Sequence, residues 1–194
     1  MAHPYPARSG ATRPLRRPLA AAADTSRQHR SEAQIAAALL AHVDQVRDTV
    51  ARQGWTTQPV LGDIPYCYTV GLSMRPLSGE ACEEVLISGL PPDVACAVLD
   101  HVARRVLDGK LQPSEGTVFG EVFQGVPAQF RKMTARHAEA ALRLACALGE
   151  TQAIGGWQLL WPDARGRFPG DPECAPEAAH AQDLEAALAV ELRP

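Results

Sequence analysis

The chain has 194 residues, of which 46% are hydrophobic and 21% charged, with a net charge of −3. That length and balance describe a soluble globular chain able to build a core without disulfides or metal. The charge is uneven: residues 1–30 carry six arginines against one acid, Asp24, a local +5 that leaves −8 on the remainder. An acidic body repels a phosphate backbone, which argues against nucleic-acid binding by the folded part. No apolar run reaches the roughly 18 residues of a membrane-spanning helix. The five cysteines (Cys67, Cys82, Cys96, Cys146, Cys174) contain no C-x-x-C pair. They read as reduced, mostly buried thiols of a cytoplasmic protein, without a zinc or thioredoxin-type motif.

Residues 1–30 hold prolines, alanines and arginines with no hydrophobic period, and are expected to be a disordered tail. Residues 31–194 are expected to form a single domain. Ser31 and Gln34 have the spacing of a capping box. Ile35, Leu39, Val43, Val46 and Val50 then predict an amphipathic helix ending at Gly54. "WTTQPVL", "YCYTVGL" and "EEVLISGL" read as strands. "PPD" opens a helix with the stripe Val94, Val98, Val102 and Val106, closed by Gly109. "GTVFGEVF" and "VPAQFRKM" read as a hairpin, Thr134 as the N-cap of a third helix running to Gly149, and "IGGWQLLWPD" as a strand. "RFP" would add a short return strand, and "AQDLEAALAVEL" is a marginal last helix. The fold class is therefore α+β, a mainly antiparallel sheet with about three packed helices.

Three segments in order, "DIPYCYTVGL", "EVLISGLPPDVACAVLDHVARRVLDGK" and "WQLLWPDARGRFPGDP", resemble an uncharacterised bacterial family known as domain of unknown function 4262. The residues that carry the resemblance are Tyr66, Tyr68, Thr69, Gly71 and Leu72, then Gln158, Trp161, Pro162, Asp163, Gly166, Phe168 and Pro169. It covers about residues 40–185. Gly170 stands where the family usually has tryptophan, and Cys82 and Glu83 where it often has histidine or proline. The resemblance implies domain limits and two segments of interest, and no activity, substrate or cofactor.

The candidate ligand-binding residues are Asp63, Tyr66, Tyr68, Thr69, Arg131, Gln158, Trp161 and Asp163. Each also has a structural reading. Asp63 shapes a turn, the tyrosines fill a core with their hydroxyls at its edge, and Asp163 begins a Pro-Asp turn. His137, in the first turn of a helix, reads as a surface residue, and Cys67 as an inert strand thiol. No H-E-x-x-H, G-x-S-x-G, G-x-G-x-x-G or P-loop pattern occurs, so the sequence names no metal, nucleotide or catalytic set, and the cofactor is unknown. Two functions compete. One is a non-enzymatic binding or regulatory module acting through a protein partner or a ligand. The other is a small enzyme or cofactor-binding domain, with a pocket for a small polar ligand near Asp63, Tyr68, Thr69, Arg131 and Asp163. Oligomeric state is left open.

Overall fold

The computed structural model describes residues 32–77, 80–123, 125–149 and 154–191. The arginine-rich tail and Ser31 of the expected capping box lie outside them. Helix α1 (Glu32–Gln53) leads into strand β1 (Thr56–Val60), which pairs antiparallel with β2 (Tyr66–Val70). β3 (Pro76–Leu77) and β4 (Glu80–Ala81) form a separate two-stranded hairpin. β5 (Glu84–Ser88), helix α2 (Pro92–Leu107), β6 (Val118–Phe123) and β7 (Val126–Lys132) follow. Helices α3 (Ala135–Ala141) and α4 (Arg143–Leu148), strand β8 (Gly156–Leu160), and helices α5 (Pro176–Ala181) and α6 (Leu184–Glu191) complete the order.

The main sheet has the order β1-β2-β5-β8-β7-β6. Its pairs are antiparallel except β5 with β8, so it is mixed rather than antiparallel throughout. The parallel pair joins strands some 70 residues apart through α2, a hairpin and α3–α4, a connection in which no tight turn fixes direction. Helices are also more numerous than expected, six among the described residues. The third expected helix breaks at Leu142 (φ −99°, ψ 36°) into α3 and α4, α5 opens at Pro176, and "RFP" forms no strand.

Two cores sandwich the sheet. On one face α2 presents Val98, Leu99, Val102 and Val106 to Cys67, Val85, Ile87, Phe130 and Leu159. Val94, the first residue of the expected stripe, is exposed. On the other face Val46 of α1, Leu142, Ala145, Leu148 and Leu184 meet Tyr68, Val70 and Leu86. Each fully buried Leu or Val contributes roughly 1.5–3 kcal/mol of transfer free energy. The break at Leu142 leaves the first amides of α4 without helical partners, and the Tyr68 hydroxyl accepts one of them, Leu144 N, at 3.2 Å. Thr134 caps α3 as expected, its hydroxyl accepting His137 N at 3.2 Å.

Gly71 ends β2 with φ +108°, and a Cβ there would lie 2.6 Å from Val50 Cγ1 and 2.9 Å from the Gly54 carbonyl. Only glycine allows α1 to approach the end of β2 so closely. Gly71→Ala is expected to destabilise the fold by about 3 kcal/mol, combining the left-handed strain with overpacking. Urea denaturation measures it, and a change below about 1 kcal/mol would contradict this contact.

Candidate functional site

The strand registers place five side-chain positions in one lateral row: Gln58 beside Tyr68, Tyr68 beside Leu86, Leu86 beside Gln158, and Gln158 beside Arg131. The polar members of this row and their neighbours hold most of the sequence-predicted site residues. At about 4.8 Å per strand, Tyr68 and Arg131 stand roughly 14 Å apart. They flank the middle of the sheet and do not meet.

Beyond Tyr68 and Leu86 the regular β2–β5 ladder gives way to side-chain bonds. Val85 N donates to Thr69 Oγ1 at 2.8 Å, and the Thr69 hydroxyl donates onward to Glu84 Oε2 at 2.7 Å. The other oxygen, Oε1, accepts from Ser73 Oγ at 2.8 Å, Gly71 N at 3.0 Å and Ser73 N at 3.1 Å. Glu84 is completely buried. Burial pushes its carboxyl above the ordinary carboxylate range, while the Thr69 and Ser73 hydroxyls and the two amides pull it back. The group therefore ties β5 to the end of β2 and to the 3-10 turn Leu72–Met74.

A second network centres on Gln158, also buried. Its carbonyl accepts Arg131 Nη2 at 2.6 Å, and its amide donates to Gln182 O at 2.7 Å and Ser88 Oγ at 3.2 Å. The Gln182 side chain answers by accepting Trp161 N and donating to Trp161 O, each at 2.9 Å. Trp161 Nε1 donates to Ser88 O at 3.0 Å. One amide thus fastens the segment after α5, and the other fastens the end of β8. Asp163 organises the loop that follows. Its Oδ1 accepts Arg165 N at 2.8 Å and Arg167 N at 3.0 Å, and its Oδ2 accepts Ala175 N at 2.9 Å. The Arg167 amide, followed by those of Ala175 and Arg165, holds the Asp163 carboxyl below its usual range.

The structure thus joins Arg131, Gln158 and Trp161 through Ser88 and Gln182. Thr69 bonds instead to Glu84, Tyr68 to the start of α4, Tyr66 to Ala141 O at 3.4 Å, and Asp63 is exposed before β2. Burial pushes the Tyr68 hydroxyl up to about 12. Glu84, Ser88 and Gln182 had no place among the sequence candidates. Glu84 carried a readable signal, an acid opening a strand on the same face as Leu86, whereas Gln182 lies in a polar stretch like many others.

His137 corrects the sequence reading: it is buried, not a surface residue. It precedes Ala141 by one helical turn and so shares its inward stripe. Its Nδ1 lies 4.0 Å from Glu185 Oε2, and its Nε2 is buried without a hydrogen-bond partner. Desolvation holds His137 below its ordinary value, partly offset by the Glu185 charge. A cavity of about 70 Å³ beside it is lined by Arg136, His137, Ala140, Glu185, Leu188 and Ala189. A more open cleft of about 290 Å³ lies along the Asp163 loop, between Arg165 and Glu173. Among the described residues no three His, Cys, Asp or Glu side chains gather as a metal site, and no helix is long and apolar enough to cross a membrane.

The family profile described as "Domain of unknown function (DUF4262)" matches residues 49–175. The chain belongs to that family. No curated protein and no solved structure matches it. The DUF4262 segment contains Thr69, Glu84, Gln158, Trp161 and Asp163, and therefore the whole Glu84 network and all of the Gln158 network except Gln182. It stops short of Gln182 and α6, and it begins only at the last turn of α1.

Two pH effects of opposite sign follow. The folded-state pKa of Glu84 lies above its unfolded value, so the folded protein retains a proton that the unfolded chain releases. Its contribution to stability falls as pH rises from about 4.5 through the folded value. Glu84→Gln should remove this slope in urea titrations from about pH 4 to about pH 8, while Glu84→Leu, which strands four donors, should cost about 3–5 kcal/mol. An unchanged slope in Glu84→Gln would refute the assignment. The folded-state pKa of His137 is depressed, so its contribution is present above about 6.5 and lost as pH falls through the folded value. His137→Gln should flatten that acid limb, and a limb that persists would assign it elsewhere.

Proposed function

We propose that this DUF4262 protein is a non-enzymatic interaction module, and that its docking surface is the first half of α1. One observation carries the reading. The apolar stripe of α1 runs unbroken from Ile35 to Val50, but only its second half, Val43, Val46 and Val50, packs on the sheet. Ile35, Leu39 and Leu40 are 49%, 60% and 67% exposed, and the alanines between and beside them are exposed too. Such a contiguous apolar helix face invites a protein partner. The partner that fits is the apolar face of a helix, because knobs spaced four residues apart interdigitate best with another helix.

Two further points support this. The exposed half of α1 lies outside the DUF4262 segment, whereas the strands and loops held by the two polar networks lie largely within it. The polar side chains singled out in the sequence, Thr69, Gln158, Trp161 and Asp163, are committed to hydrogen bonds that hold strands and loops.

A photo-crosslinking side chain at position 40 in full-length protein should yield a discrete adduct with another polypeptide. The same group at Gln53, which is exposed near the other end of α1, should not. Leu39→Glu should abolish the adduct while changing stability by less than about 0.5 kcal/mol, as for an exposed site. Crosslinks confined to residues 1–31 of the same chain would overturn the proposal, because the face would then be covered from within.

A further inference from the structure

Cys67 Sγ and Cys96 Sγ lie 3.3 Å apart, 29 residues apart in the chain, one on β2 and the other on α2. Cys67 is completely buried and Cys96 is partly exposed. Carbon or sulfur atoms that merely pack sit farther apart than this, so the two thiols share a hydrogen bond. A covalent S–S bond needs about 2.05 Å, which leaves roughly 1.3 Å to close by side-chain rotation. The two elements are already packed in one core, whose members include Cys67, Val85, Val98 and Leu99 and against which Cys96 packs.

We infer that Cys67 and Cys96 form a peroxide-sensitive thiol pair whose oxidation to a disulfide locks α2 onto the sheet. The division of labour follows from accessibility. Cys96 is the thiol that an alkyl or hydrogen peroxide can reach. Its sulfur attacks the O–O bond, forming S–O and releasing an alcohol or water, and becomes a sulfenic acid. Cys67, already in contact, then attacks the Cys96 sulfur. The S–S bond forms, the S–O bond breaks, and the hydroxide leaves as water with the Cys67 proton. Peroxide is reduced by two electrons, and the two thiols are oxidised by two. Cys174 bonds instead to the carbonyls of Arg167 and Ala175, and Cys146 lies in the opposite core. A small uncharged peroxide is the oxidant that fits a partly exposed thiol backed by a completely buried one.

The test treats folded full-length protein with about one equivalent of hydrogen peroxide. Remaining thiols are then blocked with N-ethylmaleimide in denaturant, and the intact protein and its peptides are weighed. Reduced protein takes up five labels, one per cysteine. Oxidised protein should take up three, with the peptides of Cys67 and Cys96 joined, and a dithiol reductant should restore all five. Cys96→Ser, at a partly exposed position, should keep four labels under the same treatment. The disulfide should also raise the urea midpoint of the oxidised form, since it closes a loop in the unfolded chain. The inference is overturned if all five thiols still label after peroxide. It is equally overturned if Cys96 ends as a sulfinic acid without linking, or if its partner is Cys82.

Discussion

The fold rests on a buried carboxylate. Glu84 has no access to water, and its two oxygens accept hydrogen bonds from two hydroxyls and two backbone amides. Desolvation of such a group costs several kcal/mol unless donors surround it. Supplying them dictates the local chain path. Gly71 must adopt a positive φ so that its amide and that of Ser73 converge on one oxygen. Thr69 must face β5 so that its hydroxyl can replace a ladder bond to Val85. Because α1 packs against Gly71, the same turn also sets where that helix lies.

The Gln158 network plays a comparable part at the other side of the parallel strand pair. Two buried side-chain amides, Gln158 and Gln182, exchange bonds with Ser88, Trp161 and Arg131 and so fasten the last segments to the sheet centre. Half-satisfied polar networks are worse than apolar packing, whereas satisfied ones specify a single arrangement. The family segment thus reads as a scaffold in which polar residues fix geometry. The first turns of α1 lie outside that segment, and Ile35, Leu39 and Leu40 stand exposed there.

Much of this was legible in the sequence because it is local. The 3.6-residue stripes of α1 and α2, the Thr134 cap and the alternation in β2, β5 and β8 all reflect neighbours within a few residues. The parallel pairing of β5 with β8 was not legible, since it depends on a long connection without turn chemistry. The break at Leu142 was hidden for a similar reason, being stabilised from outside by the Tyr68 hydroxyl. Thr69, Gln158 and Asp163 were visible as unusual polar residues, but their partners, above all Glu84 and Gln182, come from distant segments. His137 was misread because a helix start usually faces water, and here α6 covers it.

Amide hydrogen exchange tests the scaffold claim most directly. The amides of Gly71 and Ser73, which serve Glu84, and of Trp161, which serves Gln182, should exchange only through global unfolding, with free energies matching urea denaturation. Amides in the first turns of α1 should open at much lower cost. If Gly71 and Ser73 instead exchange through a local opening several kcal/mol below the global value, the Glu84 turn is a mobile element. The family segment would then carry a working site rather than a fixed frame.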